Sequence, residues 1–239
     1  MKLDILAIGV HPDDVELGCS GTLIKHIAQG KTVGIVDLTQ GELGSRGSAK
    51  LRLEEAEAAK AVIGAVVREN LGMADGFFEN NKSNQMAIAK MIRKFQPDVV
   101  LANSVTDRHP DHGRAAKLVS DACFYSGLNK VVTELDGLQQ EIWRPKAVYH
   151  YIQDRYMKPD FVVDVSDHVE QKMEAIKAFS SQFYNPESTE EAETPISSKQ
   201  FMDFLYARMA DFGRDIGADY AEGFTVERTI GVEDLTLLG

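Results

Sequence analysis

Leu3-Asp4-Ile5-Leu6-Ala7-Ile8-Gly9-Val10-His11-Pro12-Asp13-Asp14-Val15-Glu16 sets an apolar run directly against a cluster of groups that bind metal or move protons. The run, interrupted only by Asp4, reads as a buried first strand. The polar cluster therefore sits where that strand ends. No Gly-rich phosphate loop stands in its place, and the glycines at 41, 44 and 47 match neither the dinucleotide nor the P-loop pattern. The arrangement recurs further on: residues 99–102 are apolar, and Arg108-His109-Pro110-Asp111-His112 follows them. Two such clusters, each after a buried strand, predict one metal site assembled from two strand ends.

The segments around these two runs alternate. Strands are expected at 3–10, 32–38, 66–71, 98–102, 146–152 and 161–165, with a closing strand at 223–230. Helices are expected at 20–29 (Ser20 as N-cap, Gly30 as stop), 48–63, 84–95, 113–125, 169–181 and 199–213. Asp167 is expected to cap the helix at 169, with Glu170 placed for a capping box. Residues 39–48 hold three glycines and read as a loop walling the site. Residues 185–194 read as a solvated loop. Strands alternating with helices imply an α/β fold with a mostly parallel sheet covered on both faces, one domain over 1–239. Such sheets bind ligands beyond the carboxyl ends of their strands, where strand order reverses. In the order 3-2-1-4-5 that crevice lies between strands one and four, the two that carry the clusters.

The chain has 239 residues and a formal net charge of −11. That charge argues against nucleic acid as partner, which needs a basic face. No run approaches the roughly 18 apolar residues that span a bilayer, so no membrane partner is expected. The N-terminal run leads into an acidic cluster and is not a secretory signal. With Cys19 and Cys123 the only cysteines, a disulfide framework is not expected, and a reducing cytoplasm fits.

His11 and Asp14, three residues apart past a strand end, can point into one pocket, with Pro12 stiffening the turn. One histidine of the second cluster makes three N/O ligands, the pattern of a catalytic zinc site with an open position for water. His112 is favoured as that ligand. Asp13 is then free to accept a proton from the water. His109 becomes an acid or electrostatic group, with Asp111 placed to hydrogen-bond its ring N–H. Arg52 and Arg108 are candidates to grip a substrate carboxylate. Glu16 could orient His11 or touch substrate, and Tyr151 or His150 could reach the crevice. His26, His168 and Cys19 read as surface or packing residues.

At these residues the sequence resembles the LmbE-like, or PIG-L, family of zinc-dependent N-acetylglucosaminyl deacetylases. The carriers are His11-Pro12-Asp13-Asp14-x-Glu16, His109-Pro110-Asp111-His112, Thr39-x-Gly41-Glu42 and Arg52-x-x-Glu55-Ala56. Val148-Tyr149-His150-Tyr151, Pro159 to Asp164, Ser181-Gln182-Phe183, Glu193-Thr194-Pro195 and Ala221-Glu222-Gly223-Phe224 look like its bacillithiol biosynthesis branch. The resemblance implies a Rossmann-like three-layer sandwich and hydrolysis of the N-acetyl group of N-acetylglucosaminyl-malate. It implies one zinc per chain on His11, Asp14 and His112, with Fe(II), Co(II) and Mn(II) suited to similar ligands. Asp13 would be the general base, with His109 and Asp111 as its partners in catalysis. Arg52, Arg108, Glu16, Glu42 and Tyr151 would contact substrate. Homo-oligomers, often hexamers, are also implied. Rival expectations are a deacetylase of the mycothiol-precursor or chitobiose type, and a metal- or sugar-binding module without turnover. Residues 131–143 match no family pattern and are expected to shape specificity.

Overall fold

The structure is a computed structural model that describes residues 1–188 and 192–237. In chain order it runs β1 (Ile5–Gly9), α1 (Asp14–Ala28), β2 (Val33–Thr39), α2 (Ala49–Ile63), β3 (Val67–Met73), α3 (Lys82–Phe95), β4 (Val99–Ala102) and α4 (Pro110–Ser126). A small hairpin follows, β5 (Glu134–Leu135) and β6 (Leu138–Gln139), then β7 (Ala147–Tyr151), β8 (Phe161–Asp164), α5 (Val169–Lys177), α6 (Lys199–Arg214) and β9 (Ala221–Val226). The main sheet has the order β3-β2-β1-β4-β7-β9-β8. Its first five strands are parallel and take the order expected from sequence. β9 and β8 extend it antiparallel.

Alternation along β1 builds the three layers. Leu6 and Ile8 face one core with α3 and α4, packing with Val36, Val100, Ile92 and Leu118. Ile5 and Ala7 face the other, with Val15, Cys19 and Leu23 of α1. Both faces of β1 are buried, so the strand reads as a continuous apolar run. A third core joins α2, α5 and α6 through Ala59, Met173, Phe179 and Leu205.

α1 begins at Asp14, six residues before the Ser20 start expected from sequence. Ser20 is inside the helix, and its hydroxyl donates back to the Glu16 carbonyl at 2.7 Å. Gly18 and Gly21 are not breakers here but points of close approach. A Cβ on Gly18 would lie 2.2 Å from the Tyr151 ring, and one on Gly21 would meet Glu222 and Val165 at 3.0 Å. Gly18→Ala is therefore expected to destabilise by about 1–3 kcal/mol through overpacking. Alanine's better helix propensity, about 1 kcal/mol, does not offset that. Urea unfolding checks this; a variant as stable as the parent would mean that Tyr151 moves aside freely.

α5 also differs from expectation. Asp167 makes no cap; a 3₁₀ turn, Ser166–His168, leads into the helix, and His168 before it makes no side-chain cap bond. The helix stops at Lys177, after which Phe179 and Phe183 turn into the third core. Residues 131–143, expected to shape specificity, form a clasp on α3 instead. Arg93 donates to the carbonyls of Ser126, Val131 and Leu128 and to the Thr133 hydroxyl. None of these residues reaches the cleft described next.

Candidate metal centre and cleft

β1 and β4 are parallel neighbours, and past its carboxyl end each leads through a loop to the first turn of a helix, α1 or α4. The two clusters meet there. The His11, His109 and His112 rings lie 4.8–5.8 Å apart, centroid to centroid.

Asp14 holds the centre. Its Oδ2 accepts from the Val10 and His11 backbone N–H groups, both at 3.0 Å, and from Asn103 Nδ2 at 2.9 Å. Its Oδ1 accepts from Gln153 Nε2 at 2.9 Å. The carboxylate also faces both imidazoles: His112 Nε2 is 3.2 Å from Oδ1, and His11 Nδ1 is 3.6 Å from Oδ2. Burial opposes its charge, but the His112 and His11 imidazoles hold its carboxyl well below the usual carboxylate range.

The two histidines are built alike. The nitrogen of each ring that points away from Asp14 rests on a second carboxylate: His11 Nε2 on Asp75 Oδ1 at 3.0 Å, His112 Nδ1 on Asp107 Oδ2 at 2.6 Å. Asp107 is itself fixed by the Arg108 and Arg155 backbone N–H groups at 2.8 and 2.7 Å. Asp75 is fixed by Leu43 N–H at 3.0 Å, and its own N–H donates to Glu42 at 2.8 Å. Burial works against the imidazolium, but Asp14 and Asp107 raise the His112 pKa to about 9.

Asp13 precedes α1 with φ 136° and ψ −21°, a conformation that a residue with a Cβ rarely adopts. Burial pushes its carboxyl up to about 7, against the opposing charge of Arg52, whose Nη2 is 3.8 Å away.

Five carboxylates, from Asp13, Asp14, Asp75, Asp107 and Asp111, thus surround three imidazoles. Arg52 and Arg114 are the guanidinium groups paired with this set. An excess of oxygen and nitrogen donors over cations, with the imidazoles oriented by outer carboxylates, fits a divalent ion. Ligand atoms also converge within 4.8 Å of one another in two overlapping groups, His11/His109/His112 and His11/Asp75/Asp111. Asp75 was missed from sequence, although it stands just past β3, where the strand-end rule points. Asn103, Gln153 and Asp107 were missed as well; Asp107 lies in the same segment as the second cluster.

The other sequence candidates divide. Arg108 lines the cleft, with Nε 2.5 Å from Asp154 Oδ2. Arg52 is buried behind Asp13, packed where a Cβ on Gly41 (φ 65°) would lie 2.4 Å from Nη1. Glu42 does not line the cleft; it braces the Asp75 backbone. Glu16 is brought elsewhere, 2.6 Å from Arg68 Nη1 in a buried pair. Tyr151 does not reach the cleft either: it is fully buried, and its hydroxyl donates to the Ile8 carbonyl at 3.0 Å. His150 is buried between the Asn103 carbonyl at 2.8 Å and Glu227 at 3.0 Å. The Asp111 carboxylate does not orient His109 as expected. It accepts from Gly76 N–H, pairs with Arg114 and faces His11, while its backbone N–H donates to His109 Nδ1 at 3.3 Å. Burial and the neighbouring imidazoles lower the His109 pKa, and a neutral ring that accepts this bond at Nδ1 carries its proton on Nε2.

The cleft holds about 200 Å³. Besides the acidic cluster, its lining includes the apolar Leu17 and Leu43, Phe201 and Leu205 of α6, and the polar Arg108, Asp154 and Arg208. No helix among the described residues is long and apolar enough to cross a membrane.

A family model described as PIG-L, GlcNAc-PI de-N-acetylase, matches residues 6–123, which span both clusters. The conserved protein TT1542 from Thermus thermophilus superposes with a TM-score of 0.85 at 34% identity, covering 97% of this chain and 98% of that one. Diacetylchitobiose deacetylase from Thermococcus kodakarensis is 29% identical over 92% of this chain and 81% of its own length. 4-oxalmesaconate hydratase from Pseudomonas putida is 27% identical over 74% of this chain and 73% of its own. With both clusters inside the matched module and the whole fold shared, the chain belongs to the PIG-L (LmbE-like) deacetylase family.

Proposed function

We propose that this chain is a metal-dependent hydrolase that removes the N-acetyl group of an N-acetylglucosamine conjugate, with N-acetylglucosaminyl-malate as its substrate. The observation that carries the reading is the shared construction of His11 and His112. Each has one ring nitrogen on an outer carboxylate and the other turned to Asp14, with Asp13 held beside them in a strained backbone. Outer carboxylates of this kind fix the imidazole tautomer and increase the basicity of the metal-facing nitrogen. His11, Asp14 and His112 would hold the ion, zinc being favoured by the mixed donor set. When bound, it would supply Lewis-acid polarisation of the amide carbonyl and a water of lowered pKa.

The chain's own groups do the rest. Asp13 accepts the proton of the attacking water. His109, with Nδ1 occupied by the Asp111 N–H, donates from Nε2 to the oxyanion of the tetrahedral intermediate. As the C–N bond breaks, the proton held by Asp13 passes to the departing amine, and acetate is the second product. Asp75 and Asp107 keep the imidazoles turned to the centre throughout.

Acetate release is the test, with N-acetylglucosaminyl-malate, diacetylchitobiose and N-acetylglucosamine compared on one preparation. Chelation should lower turnover at least 100-fold, and zinc should restore it. The malate conjugate should have the highest kcat/KM. Preference for diacetylchitobiose would transfer the assignment to the activity named for the Thermococcus kodakarensis relative. No acetate from any of the three, with turnover of 4-oxalmesaconate, would replace hydrolysis by hydration.

A further inference from the structure

The cleft carries positive as well as negative groups, and the mechanism uses only the negative ones. Beside the carboxylates, Asp154 lies between two guanidinium groups. Its Oδ2 pairs with Arg108 Nε at 2.5 Å, and its backbone carbonyl accepts from Arg208 Nη2 at 2.9 Å. Both arginines line the cleft, so this group carries two positive charges against one negative.

Arg208 is partly buried, and its partners differ from those of most other wholly or partly buried arginines. Arg68 is paired with Asp37 and Glu16, and Arg93 is satisfied by three carbonyls and a hydroxyl. Arg52 faces Asp13, and Arg114 pairs with Asp111. Among the described residues no carboxylate lies within ion-pair distance of Arg208. It bonds to the Asp154 carbonyl and lies 4.4 Å over the Phe204 ring, one helical turn earlier on α6. Phe204 holds the plane of the guanidinium, and the helix holds its stem, so little rotamer freedom is lost when it binds. Burial lowers its pKa to about 10, against the distant pull of Asp154 and Asp107. This is a partly buried, oriented guanidinium that lines the cleft and has no carboxylate partner among the described residues.

We propose that Arg208, assisted by Arg108, is the specificity-determining residue of the cleft and binds a carboxylate on the aglycone of the sugar substrate. The proposal deepens the deacetylase reading and rests on it for the word substrate. The charges give it an orienting role: an anionic tail is drawn to the two guanidinium groups and not to the aspartates around them, which leaves the neutral N-acetyl group for Asp13 and His109. Arg52, the arginine suggested by sequence for this task, lies behind Asp13 and does not line the cleft.

Two measurements on zinc-loaded protein test it. The first is calorimetric binding of L-malate, which needs no turnover. Arg208→Met keeps the stem on Phe204 and removes the charge; it should weaken malate binding about 10- to 100-fold, the value of a hydrogen bond to a charged group. Arg208→Lys, which keeps the charge and loses the fork, should fall between. The second is the ratio of kcat/KM for the malate conjugate to that for N-acetylglucosamine, which Arg208→Met should reduce by a similar factor, mainly through KM. Malate binding equal in the parent and in Arg208→Met, or absent from the parent, overturns the proposal. A folded Arg208→Met with an unaltered substrate ratio overturns it too. If malate binds through Arg208 but no acetate is released from any conjugate, the subsite stands and the deacetylase reading fails. Thermal melts of both variants identify a misfolded one, in which case Arg208→Lys carries the comparison.

Discussion

Asp13→Asn is expected to bind one metal ion per chain as the parent does and to lose about 10²–10⁴-fold in turnover. The amide is nearly isosteric and keeps the buried volume, but it cannot accept the proton of the attacking water or return it to the amine. Asp14, which faces both imidazoles, is untouched, so metal content measured by elemental analysis should not change. The separation of roles follows from two adjacent carboxylates with opposite environments. Asp14 accepts four hydrogen bonds and faces two imidazoles. Asp13 is buried with Arg52 at 3.8 Å, and its carboxyl is pushed up to about 7. A pair pushed in opposite directions is how acid–base work is divided between neighbouring groups. Asp13 is not the base if the variant turns over at the parent rate. Loss of metal along with turnover would make it part of the ion's own site.

The second large effect is on stability. Arg68, on β3, is buried and forms a bidentate pair with Asp37, Nε to Oδ2 at 2.7 Å and Nη2 to Oδ1 at 2.9 Å. Its Nη1 reaches Glu16 Oε1 at 2.6 Å. Arg68→Met should cost about 3–5 kcal/mol at pH 7.5, because it leaves two buried carboxylates without their cation. Burial already raises the Asp37 pKa to about 6, above its ordinary 3.8, with Arg68 holding it down. Without the arginine it must climb further. The sign follows: a carboxyl with a raised folded pKa gains stability on protonation, so the variant should recover part of its loss as pH falls. Urea unfolding of metal-free parent and variant at pH 7.5 and 5.5 measures it. A difference that grows toward pH 5.5 would show that the carboxylates are solvated in the variant. Since Glu16 is in the same motif as His11, Asp13 and Asp14, this network also fixes the start of α1, and with it the site.

Much of the architecture was legible from residue patterns. The buried runs at 3–10 and 98–102, the alternation of strands with helices and the 3-2-1-4 order were enough to place His11 and His112 at one crevice. These are local properties: an apolar run long enough for a strand, then polar groups where it must stop. Side-chain direction is not local. Glu16 and Tyr151 sit in the right segments and point into the core, toward Arg68 and the Ile8 carbonyl. The start of α1 was misplaced because Ser20, flanked by Gly18 and Gly21, read as the N-cap. Only the neighbouring Tyr151 ring and the Glu222 carboxylate show why those positions lack a side chain.

The sequence by itself determined the parallel sheet, its reversal point and the two clusters that meet there, because strand length and strand ends are written in consecutive residues. Only the tertiary structure decided which carboxylates orient the histidines and which arginines line the cleft. Asp75 reaches His11 from a strand end 64 residues away, and Arg208 lines the same cleft from α6. Such pairings depend on how helices pack across the sheet, and no spacing along the chain encodes them.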